Sequence, residues 1–276
     1  MGILVKGSNY LEALANTEIV VFDKTGTLTK GVFEVQQIES LNISKEELIE
    51  IAAIAEWYSN HPIAKSIKLA HGRDIDENKI NEIKELSGRG ISADIEGKKV
   101  LIGNEKLMLE NNINFEKCKD VGTILYVSIN SEFVGYILIS DALKEDSEKA
   151  IKDLRKNGVR QTIMLTGDRK EVAEDVSKKL EIDKSYSELL PDGKVEKIEE
   201  FIKDKNEKTK LAFVGDGIND APVLALSDVG IAMGGLGSDS AIEAADVVIM
   251  TDEPSKVNTA IKLAKKTMRI VKENIV

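Results

Sequence analysis

Apolar and polar positions along this chain follow three different grammars. Near the start, Ile19-Val20-Val21-Phe22 is an unbroken apolar run that ends on Asp23, the pattern of a strand buried on both faces of a parallel sheet. From about 32 to 140 the pattern changes. Ser44 and Glu47 have capping-box spacing and open a helix through Ile54 and Glu56. A second helix starts at His61-Pro62, with proline at a first helical position. Alternation then predicts strands over 91–95 and 99–102 around Glu96-Gly97, and over 124–129 and 133–139 around Asn130-Ser131-Glu132. Hairpins without crossover helices predict an α+β insert with an antiparallel sheet.

The third stretch, about 141 to 252, alternates strictly. It predicts a helix over 144–156 ended by Asn157-Gly158, a strand over 162–165, and helices over 169–180 and 192–203. A strand over 211–214, a helix from Asp220 and apolar runs at 230–233 and 247–250 complete it. Such alternation is that of a parallel sheet with helices on both faces, and the run ending on Asp23 joins the same sheet. The chain therefore reads as an α/β domain, 1–31 and 141–276, split by an insert over 32–140. Residues 2–5 read as an apolar stub with nothing to pack against. The last helix, from Ser255, carries Lys256, Lys262, Lys265, Lys266, Arg269 and Lys272 and stops on Ile275-Val276. It reads as a solvated terminal helix in preference to the basic flank of a membrane segment.

Composition narrows the class. With 276 residues, 42% hydrophobic and 31% charged, the chain suits two folded domains. Net charge is 38 − 48 = −10, which argues against a nucleic-acid partner. The single cysteine, Cys118, excludes a disulfide framework, fits a reducing cytosol and reads as a small buried apolar residue. No apolar run is long enough to span a bilayer, and no signal peptide opens the chain. The richness in Lys, Glu, Ile and Asn points to a bacterial source.

Candidate chemistry gathers where parallel strands end. Asp23-Lys24-Thr25-Gly26-Thr27-Leu28-Thr29 follows the first strand, and a carboxylate there can act as a nucleophile that carries a covalent aspartyl-phosphate. Thr166-Gly167-Asp168 follows the strand at 162–165 and offers a hydroxyl and amides to phosphate oxygens. Lys194, near a helix start, can supply a point charge. Gly215-Asp216-Gly217-Ile218-Asn219-Asp220 follows the strand at 211–214, and two carboxylates there beside Asp23 make a hard oxygen site suited to Mg²⁺.

These motifs, in this order, resemble the haloacid-dehalogenase-like phosphotransferases and, within them, the P-type ATPases, over essentially the whole chain. The resemblance implies a Rossmann-like phosphorylation domain with Asp23 as the phosphorylated residue. Mg²⁺ is then held by Asp23, the backbone of Thr25 and Asp216. Thr25, Thr166, Gly167, Lys194 and Asn219 contact the phosphoryl group, and Asp220 orders the site. Related soluble phosphatases carry a second Asp two residues after the nucleophile; here that position is Thr25, so no resident base activates water and the acyl-phosphate persists.

The insert holds Glu56-Trp57-Tyr58-Ser59-Asn60-His61-Pro62, Ser87-Gly88-Arg89-Gly90 and Gly103-Asn104. This looks like the nucleotide-binding domain of heavy-metal-transporting P-type ATPases. The resemblance places Glu56 on the adenine amine, His61 against the adenine, and Gly88, Gly90, Gly103 and Asn104 around the nucleotide. Trp57 and Tyr58 read as core, and His71 as a surface or satisfied histidine. The stretches 7–12 and 233–239 resemble zinc/cadmium/lead pumps more than copper pumps.

The chain is thus expected to be the soluble catalytic unit of an ATP-hydrolysing pump at the cytoplasmic face of the plasma membrane. ATP is its substrate and Mg²⁺ its cofactor. Membrane and actuator domains of the same full-length polypeptide are its partners, and the transported ion is bound elsewhere. The fragment itself is expected to be monomeric. The alternatives are the same unit of a copper pump, a soluble phosphatase, against which Thr25 and the nucleotide pattern count, and a non-enzymatic nucleotide sensor.

Overall fold

The structure, a computed structural model, describes residues 2–216, 220–234 and 243–275. It divides into two compact units, one of Met1–Gly31 with Leu143–Val276 and one of Val32–Ala142.

The first unit is built on a seven-stranded sheet in the order β1-β13-β12-β11-β2-β9-β10. Its strands are β1 (Ile3–Val5), β2 (Thr17–Asp23), β9 (Gln161–Leu165), β10 (Lys184–Tyr186), β11 (Lys210–Gly215), β12 (Val229–Met233) and β13 (Val247–Ile249). All pairings are parallel except that of β1 with β13. Both faces are covered, which is why the strand sequences are continuously apolar rather than alternating. Val20 and Phe22 of β2 pack with α1 (Ser8–Ala15), α5 (Ser147–Lys156), α6 (Lys170–Leu180) and the terminal helix α9 (Ser255–Ile275). Val21 faces the other way, with Ile198 of α7 (Pro191–Asp204) and Val223 and Leu224 of α8 (Ala221–Leu226).

The second unit is a six-stranded sheet in the order β3-β8-β7-β6-β5-β4. Its strands are β3 (Thr29–Ser40), β4 (Ile80–Leu86), β5 (Gly90–Ile95), β6 (Lys98–Gly103), β7 (Thr123–Ile129) and β8 (Glu132–Leu143), antiparallel from β4 to β8. Helices α2 (Lys45–Ala55) and α3 (Pro62–His71) cover one face through Leu48, Ala52, Ile63 and Ile67. Leu107 and Met108 of α4 (Glu105–Glu110) pack on Leu101 and Tyr126 of the other. The capping expectation at Ser44 is met: its side chain accepts from the Glu47 N–H at 3.0 Å.

Several local expectations are corrected. Residues 2–5 are not an idle stub, since β1 pairs with β13 in the register Ile3↔Ile249, a partner too far along the chain for local pattern to show. The helix expected from 144 starts only at Ser147, because β8 continues to Leu143 and Lys144 turns its side chain inward. Helices α1 and α4 and strands β3, β4 and β10 carry too little periodic signal to be called in advance. Cys118 is half-buried, not core. Tyr58 is 64% exposed, and half-buried Trp57 donates its indole N–H to Glu77 at 3.0 Å beneath the Lys68 ammonium.

Candidate active site

Asp23 closes β2 near the middle of the parallel sheet and is only 6% exposed. The chain then turns back on itself. The Lys24 carbonyl accepts from the Leu28 and Thr29 N–H groups at 3.0 and 3.1 Å and from the Thr29 hydroxyl at 3.1 Å. Gly26 makes this turn at φ +75°, where a Cβ would fall 2.8 Å from Asp216 Oδ2, so glycine is needed on both counts. The same contact places Asp216, just past the neighbouring strand β11, against the Asp23 loop.

One ammonium serves two carboxylates here. Lys194, in the first turn of α7, donates to Asp23 Oδ1 at 2.6 Å and to Asp220 Oδ1 at 2.9 Å. Burial pushes the Asp23 carboxyl up to about 7; the Asp220 and Asp216 charges add to the rise and Lys194 opposes it. Burial likewise raises Asp220 against the opposing pull of Lys194. On Lys194 burial works downward, but the two carboxylates outweigh it and its pKa rises. A raised Asp23 despite so close an ammonium is physically consistent, because Asp220 shares that ammonium and Asp216 adds a further negative charge.

A second pair was not foreseen from sequence. Lys24 is 4% exposed, and its Nζ lies 2.7 Å from Asp168 Oδ2. That same oxygen accepts from the Thr166 hydroxyl at 2.9 Å, while the Asp168 N–H donates to Thr166 Oγ at 3.1 Å. The loop is pinned from behind: the Thr166 N–H donates to the Tyr186 carbonyl, and the Thr166 carbonyl accepts from Leu189. Thr166 is therefore brought beside the Asp23 loop with its hydroxyl proton directed at Asp168. The available signal was that Lys24 and Asp168 are opposite charges, each inside a motif that follows one of two adjacent strands. Thr25 and Gly167 are solvent-exposed at this edge. Asn219, with Gly217 and Ile218, lies outside the described residues, as do 235–239 of the stretch 233–239.

The second unit holds a cavity of about 790 Å³ lined by Glu56, Tyr58, His61, Gly88, Gly90 and Asn104 among others. Glu56 caps the end of α2, and burial raises its carboxyl, opposed by Ser59, His61 and Lys68. His61 is the N-cap of α3, and its Nδ1 accepts from the Ile63 N–H at 3.2 Å. Asn104 caps α4 through Oδ1 and donates from Nδ2 to the Gly88 carbonyl at 2.9 Å, so it holds the glycine loop in place. Gly88 turns at φ +69° with open space where a Cβ would stand. Gly90 has a different reason to be glycine: a Cβ there would meet the Ile102 carbonyl at 2.0 Å. Gly103 pairs with Gly90 across β5 and β6 and is not among the lining residues; a Cβ on it would meet the Arg89 carbonyl at 2.1 Å. His71 is the last residue of α3, away from this cavity's lining.

Carboxylates and an ammonium thus converge at one strand end of a parallel sheet. The chain belongs to the haloacid dehalogenase-like hydrolases, whose family model matches residues 17–228. Within them, the relatives it matches are heavy-metal-transporting P-type ATPases. It is 50% identical over 275 residues to a cadmium, zinc and cobalt-transporting ATPase of Bacillus subtilis (strain 168), covering 99% of this chain and 39% of that protein. The chain thus spans about two fifths of the length of that relative. Among solved structures, a zinc-transporting PIB-type ATPase in its E2.Pi state superposes with a TM-score of 0.85 at 33% identity, over 99% of this chain and 45% of that one. The catalytic domain of the CPx-ATPase CopB-B, described for its conformational changes upon nucleotide binding, matches with a TM-score of 0.64 at 31% identity, over 95% of this chain and 96% of that one. Among the described residues no helix is long and apolar enough to cross a membrane.

Proposed function

We propose that this chain is the ATP-hydrolysing catalytic unit of a longer heavy-metal export pump. Asp23 takes the γ-phosphoryl group of ATP: a carboxylate oxygen bonds to the γ-phosphorus, the bond to the β,γ-bridging oxygen breaks, and ADP leaves. The observation that carries this reading is the buried Asp23 at a strand end, bridged by Lys194 to Asp220 and with Asp216 against its loop. Lys194 holds a cation against the carboxylate that receives the phosphoryl group, and Thr166 and Gly167 would contact that group from the end of the adjacent strand. Thr25 occupies the place of a second carboxylate, so the acyl-phosphate outlasts its formation.

Mg²⁺ fits the donors present, since Asp23 and Asp216 offer hard oxygens from adjacent strand ends and only two protein carboxylates are needed. When bound it neutralises charge between the carboxylates and the incoming phosphates. The cavity of the second unit, with a desolvated Glu56, the His61 ring and the open turn at Gly88, suits an adenine nucleotide. The longer polypeptide would add membrane and actuator domains and place this unit at the cytoplasmic face of the plasma membrane. We assign zinc, cadmium and related ions as cargo in preference to copper, on the 50% identity with the cadmium, zinc and cobalt transporter.

The test is covalent labelling. The chain is mixed with ATP radiolabelled on its γ-phosphate, quenched in acid and treated with hydroxylamine. The expected result is protein-bound label that hydroxylamine removes and that Asp23→Asn lacks. Label that resists hydroxylamine, or survives in Asp23→Asn, places the nucleophile elsewhere.

A further inference from the structure

Lys144 is a buried cation that the proposed reaction leaves unused. It lies between β8 and α5 with its side chain 5% exposed. Its ammonium donates to the Gly26 carbonyl at 2.5 Å and to Asp252 Oδ1 at 2.6 Å. Two further bonds run from the same segment to the same loop: the Lys144 N–H and the Ser147 hydroxyl both donate to the Leu28 carbonyl, at 3.1 and 2.8 Å. Asp146, between them, accepts from the Ser255 N–H at the start of α9 at 2.8 Å. One short segment thus grips the Asp23 loop on one side and the entry to α9 on the other.

Lysine is rarely buried without a partner, and the partners here have consequences. Asp252 is 63% exposed and could be solvated, so it does not force the burial. The inward partner is the carbonyl of Gly26, a glycine at φ +75° whose flanking peptides have freedom that other residues lack. In a planar trans peptide the carbonyl and the following N–H point in opposite directions. Holding the Gly26 carbonyl toward Lys144 therefore fixes the Thr27 N–H on the far side of the same peptide. A charge-assisted bond is stronger than a neutral one and suits this task.

We propose that Lys144 is a positioning residue for phosphoryl transfer, whose ammonium fixes the Gly26–Thr27 peptide of the Asp23 loop and ties that loop through Asp252 to the segment that opens α9. The inference rests on the reading of Asp23 as phosphoryl acceptor.

Lys144→Met removes the donor at similar side-chain length. The rate of acyl-phosphate formation is measured by acid quench at saturating ATP, with ATP affinity by calorimetry and folding by circular dichroism, all on the full chain. The expected result is a rate lowered roughly ten- to a hundredfold, with ATP affinity unchanged. Asp252→Asn, at an exposed carboxylate, keeps the chain folded even where Lys144→Met does not, and slows the same step by a smaller factor. Wild-type labelling rates in both variants overturn the inference and leave Asp23 in place. So does a rate loss that only follows a loss of fold or of ATP affinity, since that is a structural role. A wild-type chain that takes up no label overturns the reading of Asp23 itself, and this inference with it.

Discussion

Removing the charge of Asp23 should stabilise the protein at neutral and alkaline pH. The carboxyl is raised from its ordinary 3.8 to about 7, first by burial and then by the Asp220 charge, against the opposing Lys194. The folded state therefore holds a proton that the unfolded state has released at every pH between those values. Stability is fully present below about 4, falls as pH rises, and is lost in full above about 7. The gap between 3.8 and about 7, at about 1.4 kcal/mol for each pH unit, is worth on the order of 4 kcal/mol. This is an upper figure, because Asp23, Asp220 and Lys194 titrate as a set. Asp23→Asn mimics the protonated acid. Thermal unfolding followed by circular dichroism in EDTA should show the variant melting several degrees above wild type at pH 8, with the advantage shrinking steadily toward pH 4. Millimolar Mg²⁺ should raise the wild-type midpoint more than the variant's. An advantage that stays constant from pH 5 to pH 8, or none at pH 8, refutes the claim that the Asp23 carboxylate is held against its ionisation.

Three further outcomes are expected. His61→Ala should weaken ATP binding by about 1–2 kcal/mol, the scale of one lost stacking or hydrogen-bond contact; it should also cost about 1 kcal/mol of stability through the lost cap of α3, whereas His61→Asn should lose the affinity and keep the cap. Calorimetry that finds wild-type ATP affinity in both variants removes the ring from the site. Asp168→Asn takes charge from the partner of buried Lys24 and should lower the urea midpoint by the equivalent of about 1–3 kcal/mol; an unmoved midpoint shows that the pair is dispensable. Asp216→Asn should abolish Mg²⁺-stimulated labelling of Asp23 and leave ATP affinity intact, and equal labelling in EDTA with and without the substitution contradicts the assignment.

The fold was legible where pattern and topology agree. The all-apolar run before Asp23 announces a strand covered on both faces, and β2 has Val20 and Phe22 on one side and Val21 on the other. Alternation between Ile91 and Ile95 announces a strand with one buried face, and those residues pack under α2 and α3. What escaped depends on partners distant in sequence. The strand Ile3–Val5 exists because Val247–Ile249 offers it an edge, and no local pattern contains that information. The start of α5 escaped because helix propensity in Lys144-Glu145-Asp146 is overruled by bonds from Lys144 to Gly26 and Leu28.

At the candidate site, motifs tell which carboxylates gather and point to Lys194, but not to the rest of what offsets their charge. Lys194 stands out by its place near a helix start, but among the chain's 38 Lys and Arg nothing in the spacing singles out Lys24 or Lys144 as drawn inward. The geometry does. Around Asp23 stand the carboxylates of Asp23, Asp168, Asp216 and Asp220 and the ammonium groups of Lys24 and Lys194. Among these groups, four negative charges against two positive leave −2, which one divalent cation would neutralise. Protonation is the alternative open to a buried site left short of positive charge, and it is what the raised Asp23 and Asp220 express. The same count explains why Asp23→Asn should stabilise the cation-free protein: the imbalance falls to −1 without any contact being improved. It also implies that a divalent cation and a proton compete at Asp23. The pH at which Mg²⁺ binding is half lost should then lie lower in Asp23→Asn than in wild type, where Asp23 takes up a proton near 7. Isothermal titration with Mg²⁺ between pH 5.5 and 8 reads this directly, and a pH dependence that is the same in both proteins defeats the charge argument.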